Sequence, residues 1–102
     1  MEQFYKMVEA SNKRFPEGVH PFQMATRLLE ECGEVAAEIN HWENTGLKRQ
    51  KHGEPSKESL AKELRQAITE LFKIAVYYSV EKELEESINQ SLEQSKAEGL
   101  TD

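Results

Sequence analysis

The sequence has few of the residues that mark secreted or membrane-spanning proteins. Cys32 is the only cysteine among 102 residues, so no disulfide can form within the chain, which favours a reducing compartment. No run of about 18 consecutive apolar residues occurs, and the chain starts Met1-Glu2-Gln3 rather than with a basic segment followed by an apolar one. We therefore expect a cytoplasmic protein without a membrane anchor.

Basic residues are also in the minority, with 13 Lys and Arg against 19 Asp and Glu and a formal net charge of -6. An acidic surface repels a phosphate backbone, so we expect no duplex nucleic acid as a partner. A hydrophobic content of 37% supplies one modest core. The sequence therefore predicts a single domain over residues 1–102 that enlarges its core by self-association, as a homodimer or homotetramer.

Apolar residues recur at helical spacing over four segments, whereas no alternating pattern is long enough for a strand. The first helix is predicted from about Glu2 to Lys13, before the breakers Pro16 and Gly18. The second begins at Pro21, a residue suited to a first helical turn, and stops near Gly46.

The second half of the chain begins with a basic loop between about residues 43 and 56. Ser56 is the predicted N-cap of a long third helix with a broad apolar face and no breaker until well past residue 80. A fourth helix from about Lys82 carries a narrow apolar stripe and ends near Gly99, with a polar tail from about residue 97. The predicted fold class is all-α, a four-helix bundle completed by self-association.

Acidic residues follow one edge of the second helix. At 100° per residue, its apolar stripe centres between Leu28 and Cys32, which predicts a buried, inert Cys32 thiol. Glu31, Glu38 and Glu34 follow one another outward along one edge of that stripe. Glu31 is thus expected nearest the core.

The third helix repeats this arrangement, with Glu63 and Glu70 along one edge of its apolar face and Gln66 slightly farther out. If the two helices pack antiparallel with these edges facing, carboxylates converge, and their repulsion raises their pKa values or requires a cation. Oxygen ligands of this kind suit Mg²⁺ or Mn²⁺. The alternative is an ordinary solvated surface, because Glu is an excellent helix former, and spacing alone does not decide between the two.

Two segments resemble the motifs of MazG-like nucleotide pyrophosphohydrolases, in the all-α NTP pyrophosphohydrolase group. The first is LLEECGEVA at residues 28–36, in which Glu31 and Glu34 match the family's Glu-x-x-Glu pair. The second is KELRQ at residues 62–66, in which Glu63 matches the first residue of a Glu-x-x-Asp pair and Gln66 stands where Asp is expected. The resemblance covers about residues 22 to 92.

The resemblance implies a Mg²⁺-dependent enzyme, with Mn²⁺ as a possible substitute, that cleaves a nucleoside triphosphate to a monophosphate and pyrophosphate. It assigns Glu31, Glu34 and Glu63 as catalytic metal ligands and Gln66 as a weaker fourth ligand, since an amide oxygen brings no charge. Glu38 and Glu70 are alternative carboxylates, each one turn beyond a motif residue. The candidate phosphate-binding cations are Lys48, Arg49, Lys51 and Lys73. A second hypothesis is a catalytically degenerate helical module that acts in assembly or partner binding.

Overall fold

The computed structural model describes residues 1–45 and 53–102, which form four α-helices, one 3-10 turn and no strand. The helices are α1 (Glu2–Arg14), α2 (Pro21–Glu43), α3 (Lys57–Tyr77) and α4 (Glu81–Ala97), with the 3-10 turn at Pro16–Gly18. The predicted all-α class and four helices are confirmed for this part of the chain. None of these helices is both long enough and apolar enough to span a membrane.

Local side-chain chemistry sets the helix ends. His20 caps α2, with its Nδ1 accepting the N–H of Phe22 at 3.3 Å, and Pro21 occupies the first helical position. Asn44 ends α2 in the left-handed conformation at φ 58°, two residues before the predicted stop at Gly46, which lies outside the described residues. An Asn can adopt this conformation at low cost, so it serves in place of glycine.

The predicted N-cap of α3 is confirmed, because Ser56 Oγ accepts the N–H of Ser59 at 3.1 Å. The end of α3 falls earlier than the sequence indicated. Ser79 takes φ 56°, and the N–H of Val80 donates to the carbonyl of Ala75 at 2.9 Å, a left-handed helix termination without glycine.

Helices α2 and α3 pack antiparallel. Arg27 of α2 lies 3.5 Å from Glu70 of α3, whereas Glu31, one turn further along α2, meets Gln66, one turn earlier on α3. Helix α1 packs against α3 through aromatic contacts. Phe72 stacks on Phe4 at 4.8 Å between ring centroids and meets Tyr5 edge-on at 5.2 Å.

The fully buried hydrophobic core is small, consisting of Val8, Met24 and Ala75 among the described residues. The chain is flat, with extents of 44 × 43 × 21 Å and a radius of gyration of 16.6 Å. A compact chain of this length has a radius of gyration of about 13 Å. Helix α4 explains part of the difference, because beyond Leu84 only Ser95 is even partly buried.

One side of the α2–α3 pair is apolar and exposed. We call it the apolar side and define it by five residues: Leu29 (74% exposed), Cys32, Ile39 (52%), Leu64 (44%) and Leu71 (52%). Around each helix axis, these residues are rotated by roughly 80–160° from the residues that face the partner helix. The rotation has the same sense along both chains. Because α2 and α3 are antiparallel, it brings the apolar residues of α2 and those of α3 to the same side of the pair.

The prediction of a buried Cys32 thiol is therefore wrong, since the side chain is exposed. The apolar stripe of α2 is wide enough to face two directions. The part that contacts α3 centres on Glu31, with Met24 buried and Leu28 and Val35 partly buried beside it. Cys32 belongs to the part that faces away from α3.

Candidate functional site

The candidate site lies where α2 faces α3 and opens toward the end of α1 rather than onto the apolar side, and we call this the site side. Glu31 of α2 and Glu63 and Glu70 of α3, which we call the acid cluster, meet there with Arg27 and Gln66. Spacings of three and four residues place these side chains along one edge of each helix. The antiparallel packing then sets Arg27 opposite Glu70 and Glu31 opposite Gln66.

Gln66 lies between two carboxylates. Carboxylates only accept hydrogen bonds, so the amide satisfies both neighbours when its NH₂ group faces them. In that orientation Nε2 donates to Glu31 Oε2 at 3.3 Å and to Glu63 Oε2 at 3.0 Å. One neutral side chain thus joins an acid of α2 to an acid of α3.

Glu31 is largely buried, with 14% of its side chain exposed. Burial raises the pKa of its carboxyl, the charge of Glu63 raises that pKa further, and Glu70 and Glu34 act in the same direction. Arg27, with Nη2 4.0 Å from Glu31 Oε1, opposes the rise. The carboxylate repulsion expected from the sequence is present at this residue.

Glu70 is almost fully buried, with 6% of its side chain exposed. Its Oε1 faces two cations, Arg27 Nε at 3.5 Å and Lys73 Nζ at 3.9 Å, and the Lys73 side chain is 2% exposed. Its Oε2 is buried and accepts no hydrogen bond from any described residue. Burying a carboxylate oxygen without a donor is costly, and the two cations at Oε1 offset part of that cost.

A cavity of about 250 Å³ opens onto the acid cluster, between the end of α1 and the α2–α3 pair. Buried or partly buried groups of Glu31, Gln66 and Glu70 line its inner part. The exposed residues Arg14 and Arg65 line its outer part. The lining thus combines two carboxylates, which can bind a cation, with three guanidinium groups, which can bind phosphate oxygens.

A wider cavity of about 720 Å³ adjoins the first and shares Arg14, Phe15 and Arg27 with it. Phe15 and Phe22, 54% and 79% exposed, supply aromatic surface, and Lys73 contributes to the lining. Its volume lies within the range of about 300–1,000 Å³ typical of small-molecule pockets.

The acidic residues singled out in the sequence occupy four kinds of position. Glu31 and Glu63 meet at Gln66, while Glu34 is exposed and acts on Glu31 only through its charge. Glu70 is buried in the site. Glu38 is also buried, 5% exposed, but lies further along α2, beside His41, whose Nδ1 is 3.9 Å from its Oε2. His41 in turn donates from Nε2 to the Gly53 carbonyl at 2.7 Å.

The predicted phosphate-binding cations are divided between two regions. Lys48, Arg49 and Lys51 lie outside the described residues. Lys73 is buried against Glu70, and it lines the wider cavity. Its role toward phosphate stays a prediction.

Sequence reasoning missed the three arginines of the site. Arg27 stands four residues before Glu31 on one helix face, a spacing that could have identified it. Arg65 lies beside Gln66 in the second motif, but its periodicity is that of an ordinary surface residue. Arg14 enters the site because α1 packs on α3, and no local pattern carries that information.

The donor chemistry of the site suits a hard divalent cation, since it offers carboxylate and amide oxygens. Within residues 1–45 and 53–102, no three His, Cys, Asp or Glu side chains are arranged to hold one metal ion. Glu31 and Glu63 converge on one point, but Gln66 meets them with its NH₂ group. These residues would fit a cation only with the Gln66 amide oxygen turned toward both acids, a rotation about the terminal torsion, which has a broad, roughly two-fold profile.

No protein family, curated protein or solved structure matches this chain significantly.

Proposed function

We propose that this protein is a Mg²⁺-dependent nucleoside triphosphate pyrophosphohydrolase, which cleaves its substrate to a nucleoside monophosphate and pyrophosphate. The observation that carries the proposal is the convergence of Glu31 and Glu63, from two antiparallel helices, on the single amide of Gln66 at the base of a cavity with arginines at its mouth. These two acids belong to the two motifs that resemble the MazG-like enzymes.

In this proposal Glu31, Glu63 and the turned amide of Gln66 hold the cation, with Glu34 and Glu70 close enough to add negative charge. When bound, Mg²⁺ polarises the phosphate chain and acidifies water. Arg27 is held by Glu70 and Glu31, so its guanidinium is positioned before substrate arrives. The wider cavity accommodates the nucleoside, because it adjoins the acid cluster and has exposed aromatic surface.

Self-association is part of the proposal. The chain exposes 7690 Å², whereas a compact monomer of its mass exposes about 5,900 Å². The excess of about 1,800 Å² is larger than the roughly 800 Å² that each partner contributes to a standard interface. A second copy of the chain on the apolar side would bury leucines of both helices in a four-helix arrangement, as a homodimer or as the unit of a homotetramer.

A second candidate function is the degenerate assembly module, and one observation favours it. The hydrogen bonds of Gln66 relieve the repulsion between Glu31 and Glu63 without any cation. In that case the site is a structural polar contact between α2 and α3, and the apolar side is the functional surface.

The deciding experiment measures pyrophosphate release from a panel of canonical and modified nucleoside triphosphates with Mg²⁺ or Mn²⁺. We expect activity toward at least one nucleotide, reduced by about a hundredfold or more in Glu63→Gln, since that change removes a charged ligand. Glu83→Gln, an equivalent change on the exposed surface of α4, is the matched control and should keep full activity. Absence of release from every nucleotide with both metals would reject the enzyme and leave the assembly module.

A further inference from the structure

Arg14 and Arg65 come from different helices and line the same cavity of about 250 Å³. Arg14 is the last residue of α1, and Arg65 precedes Gln66 on α3. Both side chains are exposed, and neither forms a hydrogen bond or an ion pair with any residue that the structure describes. Arg27, the third arginine of this cavity, is instead engaged by Glu70 and Glu31.

We infer that Arg14 and Arg65 form a phosphate-binding pair, which takes the phosphate chain of a nucleotide or free pyrophosphate. A guanidinium group presents a planar fork of donors that matches phosphate oxygens, and it stays charged at any physiological pH. Two such groups with free donors at one cavity mouth bind an anion from two directions. Met7, Ala10 and Phe15 supply the apolar part of the same lining.

The size of the cavity selects the ligand class. Its volume of about 250 Å³ is below the range of about 300–1,000 Å³ for pockets that enclose whole small molecules. It therefore fits a phosphate chain rather than a complete nucleotide. The wider cavity begins at the shared residues Arg14, Phe15 and Arg27, so a nucleoside attached to that chain has a place beside it.

The charges of the cavity lining determine how strongly anion binding by the phosphate-binding pair depends on a bound cation. Three guanidinium groups face two carboxylates, those of Glu31 and Glu70. An anion can therefore bind without metal, and a divalent cation at the acid cluster should strengthen its binding by offsetting the carboxylate charge. The identification of the anion as part of a nucleotide rests on the proposed function, whereas binding of pyrophosphate does not.

The test is calorimetric titration of the full chain with inorganic pyrophosphate, in EDTA and again in Mg²⁺. Arg14→Gln and Arg65→Gln should each weaken binding at least tenfold, because each removes charge-assisted hydrogen bonds. Arg65→Lys keeps the charge without the fork and should fall between wild type and Arg65→Gln. Lys62→Gln, an equal loss of charge on the exposed face of α3 outside the cavity lining, is the control and should bind as wild type does.

Three results would overturn the inference: no pyrophosphate binding by the wild type at millimolar concentration, wild-type binding by both Arg→Gln variants, or equal weakening in Lys62→Gln. Since both arginines are exposed, circular dichroism should show intact folds for all four variants. Failure of the inference is distinguishable from failure of the proposed function. If pyrophosphate binding depends on the arginines but no nucleotide is hydrolysed, only the proposed enzyme activity is rejected. If a nucleotide is hydrolysed and its KM is unchanged in both Arg→Gln variants, only the phosphate-binding pair is rejected.

Discussion

The two sides of the α2–α3 pair are built from the same helices but differ in what they bury. On the site side, Glu70 and Lys73 are 4% and 3% exposed, values usual for a hydrophobic core. On the apolar side, Leu29 and Leu71 are 74% and 52% exposed, values usual for charged residues. The α2–α3 pair thus buries charged side chains on one side and exposes leucines on the other.

The two sides differ in their physical chemistry, because one buries charged groups and the other exposes apolar groups. Buried charges cost solvation free energy, so the proposed function gives Glu31 and Glu70 a role in binding charge. Leucines on both helices are exposed on the apolar side, and the proposed self-association would cover them. Substitutions on the two sides should therefore have different effects.

The largest effect is expected from a charge on the apolar side. Leu29→Glu or Leu64→Glu should convert an associated protein to monomers and lower its unfolding free energy by more than about 3 kcal/mol, because a buried leucine contributes about 1.5–3 kcal/mol and an unpaired charge adds to the loss. Light scattering and thermal melts measure both effects. Leu100→Glu, at a 73% exposed position beyond α4, should change neither. A monomeric mass for the wild type at micromolar concentration would contradict this account of the apolar side.

The next largest effect is expected at the buried ion pair. Glu70→Ala leaves the buried ammonium of Lys73 without its partner and should cost about 3–5 kcal/mol in urea denaturation. The double variant Glu70→Ala/Lys73→Met should recover much of that stability, since no buried charge then remains uncompensated. If Glu70→Ala alone costs less than about 1 kcal/mol, the pair does not hold the site side together.

A smaller effect with an informative sign is expected at Gln66. Gln66→Asp removes the donors that join Glu31 to Glu63 and adds a third negative charge between them, so the metal-free protein should lose about 1–3 kcal/mol. With Mg²⁺ or Mn²⁺ the same variant should bind metal more tightly and release pyrophosphate faster. Gln94→Asp, at an exposed amide 3.3 Å from Glu98, is the control and should show neither effect. An unchanged metal affinity would place residue 66 outside the metal ligands and favour the assembly module.

The smallest effect is a pH dependence. The pKa of Glu31 is raised in the folded protein, so the folded state holds this proton more tightly than the unfolded state does. Its contribution therefore favours folding at low pH and is lost as the pH rises above the ordinary value of 4.5 toward the raised one. In melts between about pH 4 and 8, the stability of Glu31→Gln relative to wild type should increase with pH over that window. Glu34→Gln, at an exposed position of the same helix, should show a weaker trend, and equal trends in both variants would argue against a special environment at Glu31.

Local chemistry explains why much of the fold could be predicted. His20-Pro21 and Ser56 determine the starts of α2 and α3 by capping, and periodicity over three or more turns identifies each helix. The break at Ser79 was harder to place, because a serine at φ 56° has no sequence signature comparable to glycine. The direction in which α2 buries its apolar stripe was not predictable from α2 alone. The sequence centred the stripe between Leu28 and Cys32, whereas the part that contacts α3 centres on Glu31, because the packing of the neighbouring helices decides which part of a wide stripe is buried.

In the candidate site, too, some features could be predicted from local sequence and others depend on tertiary packing. Glu31, Glu63 and Gln66 could be brought together from helical spacing and an antiparallel pairing, because all three lie on two long helices. The orientation of the Gln66 amide could not be predicted, because it follows from two acceptors on different helices. Arg14 required the tertiary packing of α1, which local patterns do not encode.

The most direct test of the central claim, that Glu31 and Glu63 are ligands of one cation, compares thermal stability in EDTA and in millimolar Mg²⁺ for wild type, Glu31→Gln and Glu63→Gln. The effects of the two substitutions on thermal stability, relative to wild type, should have opposite signs in EDTA and in Mg²⁺. Without metal, both variants should be as stable as wild type or more stable, because each removes a charge from the acid cluster while Gln66 can still donate to the new amide oxygen. With Mg²⁺, wild type should gain stability and neither variant should. A wild type that does not respond to Mg²⁺ or Mn²⁺, or variants that keep the full wild-type response, would contradict the account.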